Sequence, residues 1–459
     1  MDSSTSVDAL VVEDLGQQKL SARHLVAAFR QAGWRAQMVD LNDGADAIIA
    51  LARRTMPRFV VSSILFADRV NEHLALMMAL RDVIPHAHLA MAGHLPALAS
   101  ADFLIACPVL DSVLCDDENS ALSFLQLDSQ SLDDLPFPAR DDGIASYQGY
   151  GFATIEASRG CYHACSFCLP SAFYRAQGKA YRQRSVANLV DEIESLNQRG
   201  ARLFLFDDEQ FLPPLPQRAE RIASLADELE RRALRIAFTI KCRADDADKE
   251  TFRLLQAMGL LRVYVGIESG SQATLDLYNK RVTVQQNIEA LGTLSNLGLV
   301  ADFRAVMFHP WSTFEAIETE IEFLDRVSPW MSTAFDFREL EIYPGTLLAR
   351  RMPKQKNAWT IEYTIADPRT ELLRQCSRLV FDPAGTYGDA HRSLTTAWFA
   401  QLLAQRFQPS AADAERAREL KSIAAKMNGE SLAVWREMLE FVRDADIHDT
   451  NGVNEKASE

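Results

Sequence analysis

The run Arg159-Gly160-Cys161-Tyr162-His163-Ala164-Cys165-Ser166-Phe167-Cys168 sets three cysteines in the spacing CxxxCxxC. Three thiolates this close select zinc, copper(I) or an iron–sulfur centre, because soft ligands favour such metals. A cluster fully capped by protein takes four cysteines. A loop that supplies three leaves one metal position open, and chemistry could happen there. A zinc site or three buried thiols is the plain alternative: His163 lies inside the loop and could complete a zinc tetrahedron, although no second CxxC or HxxxH stands nearby.

Working outward, the loop follows an apolar run over 152–157 that reads as a strand. From there strands at 202–206, 235–241, 262–266, 300–307 and 334–342 alternate with helical patterns at 185–199, 217–232, 248–258, 283–297 and 313–327. Six such rounds fit an incomplete parallel (β/α)6 barrel, whose chemistry sits at the C-terminal strand ends. Upstream, short apolar runs at 9–12, 35–39, 59–65, 88–92 and 112–115 alternate with helices such as 21–32 and 71–83. That is the sign of a doubly wound, Rossmann-like parallel sheet. The expected class is therefore α/β. The expected division is a Rossmann-like domain over 1–130, a linker over 131–150 stiffened by Pro136 and Pro138, and a partial barrel over 151–350. A helical region over 351–450, with helices at 394–407 and 411–442, and a disordered polar tail over 451–459 complete it.

The chain has 459 residues, 48% of them hydrophobic, and a formal net charge of -15. With no basic stripe or polybasic tail, neither nucleic acid nor an anionic membrane is an expected partner. No apolar run reaches the roughly 18 residues that span a bilayer, and the first residues lack a signal-like pattern, so a cytoplasmic protein is expected. The 7 cysteines do not form a secreted disulfide framework. Cys107, Cys115, Cys242 and Cys376 read as small core residues or inert thiols.

The cysteine triplet, with Gly160 before it and the aromatic Phe167 directly before the third cysteine, resembles the signature of the radical S-adenosylmethionine (SAM) superfamily. The resemblance implies a [4Fe-4S] cluster on Cys161, Cys165 and Cys168, whose open iron is chelated by SAM. An external donor of flavodoxin or ferredoxin type would feed it, and a 5'-deoxyadenosyl radical would result. Four further strand ends resemble positions of the same family. Asp207 and Asp208, in Phe206-Asp207-Asp208-Glu209, look like the residues that meet the methionyl amine, which a carboxylate suits; a solvated acidic turn is the plain alternative. Arg243, in Lys241-Cys242-Arg243-Ala244-Asp245, resembles an arginine that reaches the SAM carboxylate, against a simple ion pair with Asp245 or Asp246. Gly266, Glu268 and Ser269, in Val265-Gly266-Ile267-Glu268-Ser269-Gly270-Ser271, look like the run around the ribose and methionine. His309, after the fifth strand, reads as a structural histidine first and a substrate-side group second.

The N-terminal pattern narrows the subclass. Its fold, the turn Ala92-Gly93-His94-Leu95-Pro96 after the fourth strand, the run Leu110-Asp111-Ser112-Val113-Leu114 with Asp116, Asp117 and Glu118 behind it, and the proline linker together resemble cobalamin-binding radical SAM enzymes. Gly93 and His94 are the implied cobalamin contacts. The DxHxxG motif, whose histidine ligates cobalt, is absent, since the first strand ends Glu13-Asp14-Leu15-Gly16; many members of the subclass lack it. A domain that kept the fold and lost the cofactor is the alternative. The resemblance implies a cobalamin-dependent methyltransferase acting on an unactivated carbon of a small molecule or peptide. Its rivals are radical rearrangement, cyclisation or other C–C or C–S bond formation, and a non-catalytic iron–sulfur protein.

Overall fold

The computed structural model of the chain describes residues 7–15, 19–115, 131–353, 355 and 359–445. The expected polar tail over 451–459 and the acidic Asp116, Asp117 and Glu118 lie outside them. The chain divides into two compact units, one of residues 1–209 with 341–362 and one of 210–340 with 363–459.

The first unit opens with a five-stranded sheet whose order is β2-β1-β3-β4-β5. Its strands are β1 (Ala9–Glu13), β2 (Ala36–Asp40), β3 (Phe59–Ser63), β4 (His88–Ala92) and β5 (Ser112–Val113), and every pairing is parallel. β1 and β3 are buried at every residue, as expected for parallel strands covered on both faces. One face packs on α1 (Ser21–Gln31) through Leu25, Val26 and Phe29; the other packs on α2 (Ala45–Thr55) and α3 (Val70–Val83) through Ile48, Leu74, Met77 and Leu80. The short helices α4 (His94–Leu98) and α5 (Ser100–Ala106) follow β4.

The proline segment after it is anchored rather than loose. Ala139 N–H donates to Arg23 O at 3.1 Å, and the Arg23 guanidinium, 0% exposed, makes a bidentate pair with Asp142 at 2.8 and 2.6 Å. Then come β6 (Ala145–Tyr147), β7 (Tyr150–Ile155), β8 (Ser158–Gly160), α6 (Leu169–Ala176), β9 (Tyr181–Gln183), α7 (Val186–Gln198) and β10 (Ala201–Phe206). β7 pairs in parallel with β10 and in antiparallel with β6.

The second unit continues strand–helix alternation: α8 (Leu215–Arg231), β11 (Ala237–Arg243), α9 (Lys249–Met258), β12 (Leu260–Gly266), α10 (Gln272–Leu277), α11 (Val284–Asn296), β13 (Val300–Asp302), β14 (Arg304–Phe308), α12 (Phe314–Val327) and β15 (Asp336–Glu339). Helix starts follow their caps. Thr283 and Gln286 form a capping box on α11, and Thr313 Oγ1 accepts from Ala316 N–H at the start of α12. The single strand expected over 300–307 is two. β12 ends at Gly266 because Glu268 turns left-handed at φ 64°, so β13 pairs with β12 while β14 takes β15 and keeps one bridge, Glu268 to Ala305. The strand expected over 334–342 is likewise shorter.

Three helices end the unit: α13 (Pro368–Val380), α14 (Thr386–Phe407) and α15 (Asp413–Asp444). α15 buries Trp435 against Phe308, Phe337 and Phe381 and satisfies the backbone of 333–335 through Asn428. Cys107, Cys242 and Cys376 are buried; Cys115, read like them as a small core residue or an inert thiol, is exposed just past β5 and so is not a core residue.

Candidate active site

β8 and β9 form the neck of the cysteine loop, with Ser158 opposite Gln183 and Gly160 opposite Tyr181. Gly160 stands at φ 78°, and a Cβ there would sit 2.3 Å from Ala180 O, so only glycine lets the chain turn into Cys161. The loop's backbone is tied down from several sides. Glu209, just after β10, accepts from Gly160 N–H at 2.9 Å, Ser171 Oγ donates to His163 O at 2.9 Å, and Arg175 donates to the carbonyls of Tyr162 and His163 at 3.0 Å. Cys168 is the N-cap of α6. Phe167 lies inside the loop, between Ser166, whose carbonyl accepts from Leu348 N–H at 2.8 Å, and Cys168.

Burial, with the charges of Cys165, Cys161 and Glu209 behind it, pushes the Cys168 thiol up. Cys161 and Cys165 thus lie near enough to Cys168 to disfavour its thiolate. A metal cation reverses that balance and deprotonates its ligands outright. A soft donor set of three with backbone already in place fits an iron–sulfur cluster.

Next to the loop, a cavity opens at the carboxyl ends of β1, β3 and β4. Ligands of doubly wound sheets bind at such ends, where the strand order reverses. Here the reversal falls between β1 and β3, with Ser21, Ser63, Gly93 and His94 on the sheet side of the cavity. Glu156, Arg159 and Asp207 stand on the side of the cysteine loop. His24 Nε2 lies 3.0 Å from Glu156 Oε1, and Arg159 Nε donates to the same oxygen at 2.6 Å. Burial and then the Arg159 charge hold His24 well below its ordinary range, while burial and Asp208 push Glu156 well up. The cavity is thus walled by hydroxyls and imidazoles on the sheet side and by Arg159, Asp207 and Glu209 on the loop side, a set of donors and acceptors that suits a large ligand rich in hydrogen-bonding groups. His94 packs on Phe173 with ring centroids 4.4 Å apart. Gly93 is demanded by the fold itself, because a Cβ there would meet Ile64 O at 1.9 Å.

The acidic pair after β10 splits in two. Asp208, 1% exposed, accepts from Ala157 N–H at 3.1 Å and from Ser158 Oγ at 2.6 Å, so its carboxyl group shapes the turn that enters the cysteine loop. Asp207 keeps its side chain on the cavity wall.

Arg243, Gly266, Glu268 and Ser269 belong to the second unit. Arg243, at the end of β11, pairs with Asp245 at 2.9 Å and donates to Lys280 O, the ion pair weighed as the plain alternative. Lys280, 3% exposed, sends its ammonium to Glu268 Oε1 at 2.7 Å and sits 2.8 Å from where a Gly266 Cβ would be. Ser269 donates to Glu320. Lys280, Glu320 and Asn287, which holds the same turn, escaped the sequence reading. His309 fits its structural reading. Its Nδ1 accepts from Trp311 N–H at 3.2 Å, Nε2 lies 3.4 Å from Thr274 Oγ1, and burial lowers it to about 4.

Two family matches fall on these two regions. Residues 155–323 match the Radical SAM superfamily, and residues 15–124 match the B12 binding domain. The chain thus carries a B12 binding domain ahead of a radical SAM domain, the domain pair of the cobalamin-binding radical SAM class. Among curated relatives, it is 28% identical over 253 residues to an uncharacterized methyltransferase of Pyrococcus horikoshii, covering 53% of this chain and 52% of that protein. It is 24% identical over 337 residues to the hopanoid C-3 methylase of Methylococcus capsulatus, covering 65% and 63%. It thus spans between half and two thirds of those relatives' lengths. Among solved structures, the cobalamin-dependent S-adenosylmethionine radical enzyme OxsB, with aqua-cobalamin and S-adenosylmethionine bound, superposes with a TM-score of 0.67 at 16% identity, over 97% of this chain and 81% of that one. At that identity the likeness is one of fold. The cofactors of the class are a [4Fe-4S] cluster, SAM and cobalamin, and the three thiols and the cavity wall fit the first and the last. No helix among the described residues is long and apolar enough to cross a membrane.

Proposed function

We propose that the protein is a cobalamin-dependent radical SAM methyltransferase that acts on an unactivated carbon of a small molecule or peptide. The observation behind this reading is one cavity, inside one compact unit, bordered both by the carboxyl ends of a B12-type sheet and by Arg159 and Phe173, which flank the three-thiol loop. When bound, the cluster would supply the electron that cleaves SAM and the corrinoid the methyl group. The chain's own residues bind, orient and shield. Cys161, Cys165 and Cys168 hold the cluster. Glu209 and Asp208 fix the loop and its entry turn, and Asp207 presents a carboxylate beside it. Ser63, Gly93 and His94 form the corrinoid side of the cavity. Arg243, Gly266, Glu268 and Ser269 take the carboxylate, ribose and methionine ends of SAM. The apolar part of the cavity wall, Leu20, Leu25, Leu65 and Phe173, would help to shield a reactive radical from bulk water. The two named methyltransferase relatives support methylation, and an acidic chain favours a small molecule or peptide over nucleic acid. The setting is cytoplasmic, with a flavodoxin- or ferredoxin-type donor.

The test is anaerobic reconstitution with iron, sulfide and hydroxocobalamin, followed by reductant and SAM carrying a labelled methyl group. Retention of corrinoid, 5'-deoxyadenosine formation and label in a methylated product are expected. No deoxyadenosine, with Cys165→Ala behaving like wild type, would overturn the enzyme reading. Failure to retain corrinoid would overturn its cobalamin part, and an isomerised or cyclised product without label would replace methylation by rearrangement.

A further inference from the structure

The turn after β12 is gripped from two helices. From α12, Glu320, 3% exposed, accepts from Gly270 N–H at 2.7 Å, from Ser271 N–H at 3.2 Å and from the Ser269 hydroxyl. From α11, the buried Asn287 donates to the carbonyls of Ile267 at 3.2 Å and Ser269 at 3.1 Å. Phe323, on the same face of α12 as Glu320, lies so close that a Cβ on Gly270 would meet its ring carbon at 2.2 Å. The turn needs this grip. Glu268 holds φ 64°, a left-handed conformation that non-glycine residues keep only when their surroundings over-determine it. A carboxylate that receives hydrogen bonds from three consecutive residues fixes a backbone path more firmly than a neutral acceptor does.

We infer that Glu320 is a positioning residue for SAM, acting through the Ser269 hydroxyl and the Gly270 and Ser271 N–H groups to hold Glu268 and Ser269 in the geometry that receives the cofactor. The inference rests on the radical SAM reading above. It assigns the effect to the charge of Glu320 rather than to its bulk. Burial pushes that carboxyl group up to about 7, so its charge changes within the range in which SAM binding is assayed. Two titratable neighbours keep one form there, because burial pushes the Tyr278 phenol well up and lowers His309 to about 4. The charged groups nearby are Glu268 and Lys280, which pair with each other.

The experiment uses the reconstituted holoenzyme, with SAM affinity and the KM and kcat for 5'-deoxyadenosine formation measured from pH 6 to pH 8. In the wild type, affinity should fall about tenfold as pH drops from 8 to 6 and Glu320 takes up a proton. In Glu320→Gln, KM for SAM should rise about tenfold at pH 8 with kcat and iron content near wild type, and the pH dependence should flatten. Should Glu320→Gln take up no iron, Gly270→Ala tests the same grip by forcing the turn off Phe323, and its KM must rise while the pH dependence persists. Wild-type SAM affinity in a folded Glu320→Gln, or in Gly270→Ala when that variant carries the test, overturns the inference. A wild-type holoenzyme that binds no SAM overturns the radical SAM reading itself and this inference with it, an outcome distinct from a wild type and a variant that bind equally well.

Discussion

The cysteine loop and the Glu268–Ser271 turn differ in what their charged supports hold. In the loop the supports hold backbone alone: Glu209 accepts from Gly160 N–H, Arg175 donates to the carbonyls of Tyr162 and His163, and a glycine without which the neck would clash completes the hold. In the turn they hold side chains as well: Lys280 pairs with Glu268, and Glu320 accepts from the Ser269 hydroxyl besides the Gly270 N–H. A metal site needs fixed geometry and soft donors, and local backbone can provide the first. A turn that must meet a charged small molecule gains more from oriented charges placed before the ligand arrives.

The largest effect should come from removing a donor. Cys165→Ala should abolish iron–sulfur absorption and reduce 5'-deoxyadenosine formation by at least about a thousandfold, since a cluster held on two thiols has lost an essential ligand. Retention of iron at the wild-type level, measured by metal analysis, would break the assignment of this loop. Lys280→Met comes next. It leaves the partly buried Glu268 without its ammonium, and the cost should lie at the low end of the about 3–5 kcal/mol that breaking a fully buried pair takes. Glu268→Gln in the same chain should recover part of that, and chemical denaturation of the four variants measures the coupling. Additive costs would show that the two charges do not depend on each other.

Gly160→Ala should cost less, about 2–3 kcal/mol, because a Cβ at φ 78° meets the Ala180 carbonyl. The comparison sharpens in what else is lost. Gly160→Ala should lower cluster occupancy and leave the stability of the second unit alone, whereas Lys280→Met should do the reverse. Iron analysis beside limited proteolysis would tell them apart.

The difference between the two regions also governs what the sequence could reveal. The loop was legible because its donors lie within eight positions of one another and two of its supports, the glycine and the helix start, lie beside it; its contact with Glu209, 49 positions from Gly160, was not. The parallel strands were legible for the same reason, each being a local apolar run. The partners of the turn were not. Glu320 is 51 positions from Ser269 and Asn287 is 18, and neither sits in a pattern that marks it as more than a helix residue. Asp208 shows the converse, an acidic residue whose place was legible while its engagement with Ser158, 50 positions earlier, was not. The helix Pro368–Val380 went unread even though its start signal was present, Asp367 capping Arg369 N–H with a proline next. Gly93 was singled out for a cofactor, yet packing against Ile64 already requires it.

The smallest effect separates positioning from stability in Glu320 itself. Its carboxyl group titrates in the folded chain at about 7, above the ordinary 4.5, because burial disfavours its charge. Folding therefore favours the protonated form. This contribution is fully present below about pH 4.5 and is lost as pH rises through 7. Other buried acids, such as Glu13 and Asp208, shift in the same direction, so only the difference between wild type and Glu320→Gln isolates this residue. That difference should move in favour of the variant by on the order of 2 kcal/mol between pH 5 and pH 8, read from denaturant midpoints. A variant more stable at pH 8 and weaker for SAM would mean that the turn keeps a costly charge for its ligand. A variant less stable at pH 8 would make Glu320 a fold residue like Asn287, and the contrast with the cysteine loop would then be one of chain distance rather than of physical design.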